Sequence, residues 1–210
     1  MQIHHLYLGE LKSNCYIIET EPGRCVAVDI GGDSYKLLDM LENKKLKLTK
    51  ILLTHGHFDH TGGVAEVAAT TGAEVFIHEA DSYMLGSEKA SLAADISVLP
   101  LKPVTKYTAV GDDCYIRDGD CYFRVMHTPG HSPGSVCYIC DNLIFSGDTL
   151  FCCSIGRTDF SGGNIIAMEN SLKRIASLSG NYRLYPGHNQ TSTLDFERKN
   201  NPYLRSAAKT

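Results

Sequence analysis

The stretch LLTHGHFDHTGG, residues 52–63, sets three histidines and an aspartate within six positions, between an apolar run and a double glycine. On an α-helix, side chains two apart diverge by about 200° and cannot meet at one point, whereas extended backbone sends alternate side chains to one side. His55, His57 and Asp59, spaced i, i+2, i+4, are therefore expected on a loop or strand end, with ILLT as a buried strand before them and HTGG opening a helix after. Simple alternation groups Asp59 with His55 and His57. Loops favour Ser, Asn, Asp and Gly over histidine, so a solvated polar turn does not account for the crowding. Neutral imidazoles and a carboxylate are the donors that zinc, iron and manganese accept.

Three later residues share this context, each directly after a glycine: His131 in HTPGHSPGS, Asp148 in FSGDTLF and His188 in LYPGHNQT. With His60 the set comprises five histidines and two aspartates, enough for two metal ions with positions left for water and substrate. His4, His5, His78 and His127 are read as ordinary hydrogen-bonded residues, His127 being the one placed to support a ligand.

Apolar, β-branched or aromatic runs at 3–9, 15–20 and 25–31 predict an antiparallel meander, followed by a helix over 33–45 and a strand over 49–54. A helix over 62–71 and a strand over 74–78 continue the alternation, and 79–105 reads as helix and loop. From 114 the pattern predicts a hairpin around Asp118-Gly119, then SVCYIC and NLIFSGD joined at Asp141-Asn142. A helix over 164–177, with Ile165, Met168, Leu172 and Ile175 on one face, precedes the strand YRLYPG and a short helix over 193–200. Two halves, each passing from strands to α/β alternation, predict two sheets packed face to face with helices outside and with sites on the edge loops.

The 210 residues, 43% hydrophobic, suit one core and a single domain over 1–210. A net charge of -4 offers no basic field for a nucleic-acid partner. The N-terminus lacks the basic and apolar regions of a signal peptide, and no segment approaches the roughly 20 apolar residues of a membrane span, so a cytoplasmic protein with no membrane partner is expected. The eight cysteines are then expected reduced and mostly in the core. Cys137 and Cys140 would point to opposite faces of a strand, and Cys152 and Cys153 are read as packing in a pocket wall.

His55, His57, Asp59 and His60 together make the pattern H-x-H-x-D-H, and with VDIGG, HTPGHSPGS, GDTLF, GRTDFSGG and YPGHNQT the chain resembles the metallo-β-lactamase superfamily over nearly its whole length. Within it, GDTLF…SIGRTDFSGGN and ERKNNPYL are similar to the compact bacterial glyoxalase II-like hydroxyacylglutathione hydrolases. The resemblance implies an α/β fold (α+β in some schemes), a four-layer αββα sandwich. It also implies one metal on His55, His57 and His131, a second on Asp59, His60 and His188, and Asp148 bridging both, which overrides the alternation grouping. Asp29, in the turn DIGG, is implied to support a ligand from behind, and Arg157 in GRTDF either meets substrate or pairs with Asp159.

The implied cofactors are two divalent ions, zinc first and iron or manganese as alternatives. The implied reaction is hydrolysis of a small-molecule, glutathione-derived thioester of the S-lactoylglutathione type by a metal-bridging hydroxide, with Asp59 orienting the nucleophile. A thiolate, whose conjugate acid has a pKa of about 8.5, leaves without a general acid, and none is evident near the motif. Only 22 residues follow His188, too few for the separate C-terminal glutathione-binding domain of longer relatives, and Lys199 and Arg205 lie in that tail. The alternatives are a mononuclear iron persulfide dioxygenase, which shares a GRTDF segment, and, further off, an RNase Z-like nuclease.

Overall fold

The alternation of apolar side chains along the strands sends them to both faces of each sheet, and the architecture follows from that. In the computed structural model, which describes residues 1–207, the first half of the chain comprises β1 (Ile3–Leu8), β2 (Ser13–Glu21), β3 (Arg24–Val28), α1 (Ser34–Lys44) and β4 (Lys47–Leu52). It continues with α2 (Phe58–Thr61), α3 (Val64–Thr71), β5 (Glu74–His78), a 3₁₀ segment over Glu79–Gly86, α4 (Ala93–Ile96) and β6 (Thr108–Val110). The second half holds β7 (Tyr115–Asp118), β8 (Cys121–His127), β9 (Val136–Cys140), β10 (Leu143–Gly147) and the short hairpin β11 (Leu150–Phe151) with β12 (Ser154–Ile155). It ends with α5 (Ile165–Ala176), β13 (Arg183–Pro186), β14 (Ser192–Thr193), α6 (Leu194–Asn200) and α7 (Pro202–Ala207). Residues 208–210, the end of the expected 1–210 span, lie outside the described residues.

One sheet runs β1-β2-β3-β4-β5-β6 and the other β14-β13-β10-β9-β8-β7. Tyr16, Ile18, Val28 and Leu52 of the first meet Phe123, Val125, Tyr138 and Phe145 of the second in a shared core. Residues of opposite parity face outward, where Leu37, Leu41, Val64 and Val67 of α1 and α3 cover the first sheet. Met168, Leu172 and Ile175 of α5, with Leu194 and Leu204, cover the second. This is the αββα order expected. Cys140 falls in the inter-sheet core and Cys137 in the helix-side core, opposite faces as predicted, and all eight cysteines are unpaired.

The antiparallel meander and both hairpin turns stand as expected. The helix expected over 62–71 is α3, which starts at Val64 because the Gly63 N–H turns to the Ile30 carbonyl; the single turn α2 before it, closed by the Gly62 N–H on the Phe58 carbonyl, was not predicted. β6, the β11–β12 hairpin, β14 and α7 were not predicted: the strands are two or three residues long, and the six residues of α7 span less than two helical turns, too little for a periodicity to show. Cys152 and Cys153 form the β11–β12 turn; Cys153 is exposed and so does not pack in a pocket wall, while half-buried Cys152 accepts from Gln190 Nε2 at 3.5 Å.

Two parallel pairs decide where chemistry can sit. β3 pairs parallel with β4, and β10 with β13, so four strands deliver their C-terminal ends to one edge of the sandwich. Across that edge the Tyr138 hydroxyl donates to the Leu53 carbonyl at 2.9 Å and the Val136 N–H to the Thr54 carbonyl at 2.8 Å.

At another point of the sandwich Asp118, 1% exposed, joins the sheets by accepting from Thr20 Oγ1 (2.7 Å), Thr49 Oγ1 (2.6 Å) and both Nε and a terminal nitrogen of Arg24 (2.9 and 3.0 Å). Burial raises its pKa, but these donors outweigh it and hold the carboxyl below the usual range. Such a group contributes stability above the ordinary carboxylate pKa that is lost as pH falls through the folded value. Asp118→Asn is expected to lower stability at pH 7 by about 1–3 kcal/mol and to flatten the acid limb of the curve. Urea midpoints measured from pH 7 to pH 3 check both.

Candidate metal centre

Each member of the predicted cluster leaves a strand end on the edge described above. His55 and His57 follow β4, His57 in extended backbone, and strand parity stops there because α2 begins at Phe58. Asp59 and His60 therefore stand on one helical turn, which rotates Asp59 away from the His55–His57 side. His131 lies in the loop between β8 and β9, Asp148 directly after β10 and His188 two residues after β13.

The seven side chains converge. One ligand atom each from His55, His57 and His131 falls within a 4.8 Å group, as does one each from Asp59, His60 and His188, and a third group joins Asp148 to His55 and His60. The alternation grouping of Asp59 with His55 and His57 is thus not what the fold assembles. Asp148 lies between the trios, with Oδ1 3.4 Å from His60 Nε2 and Oδ2 3.5 Å from His131 Nε2 and 3.7 Å from His188 Nε2.

Hydrogen bonds from behind fix which nitrogen faces inward. Thr54 donates its hydroxyl to Asp29 Oδ2 at 2.7 Å, so its oxygen accepts from His55 Nδ1 at 3.1 Å and turns the His55 Nε2 lone pair into the cluster. Asp29 Oδ2 also faces His60 Nδ1 at 2.8 Å, and Oδ1 accepts the Thr54 N–H. His131 Nδ1 donates to the Arg157 carbonyl at 2.8 Å. The inward nitrogens then meet one another: His57 Nδ1 lies 2.9 Å from His131 Nε2, and His60 Nε2 lies 3.3 Å from His188 Nε2. His55 Nε2, His57 Nε2 and Asp148 Oδ1 are buried with no hydrogen-bond partner among the described residues. Unpartnered buried polar atoms are costly, and a cation resolves them. The donor set fits metal ions.

Charge in the cluster follows the same geometry. Burial, then the neighbouring imidazoles, push His55 well below the ordinary histidine range, and burial with His131 takes His57 down to about 3, so both are neutral and carry lone pairs. Burial also disfavours charge on His60, but Asp59, Asp148 and Asp29 outweigh it and raise its pKa. Asp59, despite burial, is held well below the carboxylate range by His60 and His188.

Asp29 stands behind His60 as expected. Arg157 lines the cleft but pairs bidentately with Asp159 at 2.9 and 2.8 Å, and its carbonyl, not its side chain, touches the cluster. His127 donates to or accepts from no cluster residue; its Nε2 meets the Pro133 carbonyl at 2.9 Å in the His131 loop. His4 bonds Glu19 and His5 bonds Asn14, while His78 stacks on His127.

Sequence reading missed Thr54, Ser13 and Asp81. Ser13 donates to Asp59 Oδ2 at 3.1 Å. Asp81, fully buried, accepts from the Gly56 N–H (3.0 Å), the Ser132 hydroxyl (2.6 Å) and the Gly134 N–H (2.6 Å), tying the His55–His57 loop to the His131 loop. Burial raises its pKa despite these donors. An aspartate in HEADSYML carries no local sign of this. The glycines beside the ligands do have a visible reason: a Cβ at Gly187 would sit 2.3 Å from Asp148 Oδ1, and Gly147 adopts φ +48° with Thr54 2.4 Å from its missing Cβ.

The metallo-beta-lactamase superfamily domain matches residues 8–188, a span that takes in the whole cluster, and the chain belongs to that superfamily of metallo-hydrolases. It is 29% identical to hydroxyacylglutathione hydrolase GloC of Haemophilus influenzae over 212 residues, 98% of this chain and 99% of that one. Among solved structures, the BLEG-1 B3 metallo-beta-lactamase superposes with a TM-score of 0.92 at 32% identity, covering 97% of this chain and 99% of its own. TTHA1623, solved in a di-iron-bound form, superposes with a TM-score of 0.85 at 37% identity over 95% and 99%.

Asp29→Asn removes the carboxylate that holds His60 and Thr54. Metal affinity is expected to fall about 10–100-fold, read by metal content after chelator competition. Unchanged affinity with a lowered Tm would assign Asp29 a purely structural part.

Proposed function

We propose that the cluster holds two divalent cations, one on His55, His57 and His131 and one on Asp59, His60 and His188, with Asp148 between them, and that the protein hydrolyses a small-molecule thioester. Zinc suits the imidazole-rich donor set, and the di-iron form of TTHA1623 supports iron as the alternative. When bound, such ions supply Lewis acidity, sharpening the acidity of water and polarising a carbonyl.

The observation that carries the thioester reading is the lining of the cleft above the cluster, about 300 Å³ in volume. Apart from the cluster residues, its one titratable lining side chain among the described residues is Arg157, a guanidinium already paired with Asp159 and raised in pKa by it. A guanidinium does not give up a proton at neutral pH, so no side chain is set to protonate a departing alkoxide or amine. A thiolate needs no such help. The GloC relative's name supports the same class.

The chain's own part is placement. Asp59, ionised and lining the cleft, takes its contacts from Ser13 and His188 through Oδ2, which leaves Oδ1 to accept from a water and orient it. The Thr54, Asp29 and Arg157 contacts keep the imidazoles turned inward, and Phe58, Phe151 and Phe160 exclude bulk water from the carbonyl's side. The unpaired cysteines support a cytoplasmic setting, and no helix among the described residues is long and apolar enough to cross a membrane.

The BLEG-1 likeness favours a second reading, β-lactam hydrolysis, in which an amine nitrogen departs. Metal-quantified protein is expected to carry close to two ions per chain and to hydrolyse thioesters, S-lactoylglutathione included in the panel. His57→Ala is expected to cost roughly 10²–10³-fold in kcat/KM. Turnover of β-lactams with no thioester cleaved would overturn the reading, as would one iron per chain with oxygen consumption on glutathione persulfide.

A further inference from the structure

The cleft is walled by side chains from separate parts of the chain. Leu11 comes from the β1–β2 turn, Leu92 and Ile96 flank and end α4, Phe151 and Ile155 stand on the β11–β12 hairpin, and Phe160 faces His57 and His131 across the cleft. None of these can hydrogen-bond a polar substrate arm through its side chain. Leu11 is 46% exposed and Ile96 42%, and beyond them Val98 and Leu99 are exposed at 85% and 67%. Apolar surface gathered at the mouth of a reactive cleft is stabilised when something apolar covers it.

The surface is held in place. Glu10 accepts from the Ser97 hydroxyl at 3.0 Å and the Val98 N–H at 3.2 Å, pinning the segment after α4 against the β1–β2 turn. On the far side of Phe58, which lines both, a second recess of about 520 Å³ continues the apolar wall through Ala93, Leu99 and Leu101. Its charged lining is mainly acidic: Glu10, Asp33 and Glu66, against Lys102, which is tied to Glu66 at 2.8 Å.

Glutathione carries two carboxylates and one ammonium, and a site that selects it needs cations without partners of their own. The one Lys or Arg lining the cleft among the described residues, Arg157, is paired with Asp159 and lies 4.1 Å over the Phe160 ring. Lys12 follows Leu11 but is not among the lining residues, and neither are Lys199 and Arg205 of the tail. An anionic arm would meet apolar walls and then acids.

Resting on the thioesterase reading above, we infer that the substrate is an apolar acyl thioester of an uncharged thiol, its chain lying along the Leu11–Leu92–Ile96 wall, and that glutathione is not the carrier the cleft is shaped for. Each methylene that the wall buries strengthens binding by up to about fourfold.

Non-hydrolysable thioethers separate this from the reaction itself. N-acetyl-S-hexylcysteamine and S-hexylglutathione share the alkyl chain and differ in the charged groups, and titration calorimetry on metal-replete protein reads both. The neutral thioether is expected to bind at least tenfold tighter, and affinity is expected to climb from the methyl to the hexyl member of its series. In Ile96→Asp, a change at a half-exposed position, the hexyl-to-methyl affinity ratio should fall about tenfold. S-hexylglutathione binding as tightly or more tightly, a flat chain-length series, or no binding of either thioether would overturn the inference. Hydrolysis of the matching acyl thioesters is scored separately: cleavage with a glutathione preference leaves the thioesterase reading standing and removes this one, whereas binding of the neutral series with no thioester cleaved removes the thioesterase reading.

Discussion

Imidazole nitrogens and carboxylate oxygens facing one another in a buried space have no complete hydrogen-bond solution among themselves, and the rest of the molecule is arranged around that constraint. His57 and His131 meet nitrogen to nitrogen, as do His60 and His188, while His55 Nε2, His57 Nε2 and Asp148 Oδ1 have no hydrogen-bond partner among the described residues. A protein core disfavours such an arrangement, and a cation favours it. Its persistence in the folded chain depends on groups that hold each ring from behind.

Those groups come from loops on both halves of the chain. Asp29 and Thr54 form one hinge of bonds that orients His55 and His60 together. Asp81 draws the two histidine loops to each other through two backbone N–H groups and Ser132. The parallel pairs β3–β4 and β10–β13 bring the strand ends to the same edge, and the inter-sheet bonds of Tyr138 and Val136 keep the halves at the spacing the cluster needs. Stability and site geometry therefore share their contacts.

Above the cluster the chemistry changes character, from dense polar donors to an apolar cleft with one neutralised guanidinium. The cluster carries the donors a metal ion takes, and the wall above it carries apolar side chains. Membership in the metallo-beta-lactamase superfamily speaks to the first, because its domain spans residues 8–188. The second is built here by Leu11, Leu92 and Ile96, and it separates the thiol and acyl question from the question of reaction type.

The H-x-H-x-D-H run, the glycine before His131, Asp148 and His188, and the strand-helix alternation were legible because each is local: spacing and side-chain type carry them. The four layers followed from which residues alternate. The grouping of Asp59 was not legible from parity, since a single helical turn beginning at Phe58 changes its direction. Asp81, Ser13 and Thr54 were invisible for a related reason, the partners of their side chains lying up to 53 residues away in sequence, as Gly134 does from Asp81. For Arg157 the sequence leaves substrate contact and pairing with Asp159 both open; the pair forms, and no local signal marks the Arg157 carbonyl as the group that touches His131. The sequence by itself determined the donor types and the fold that gathers them. Only the tertiary structure decided which nitrogens face inward, which groups hold them, and what lines the cleft, because each depends on contacts between segments whose order along the chain carries no record of their meeting.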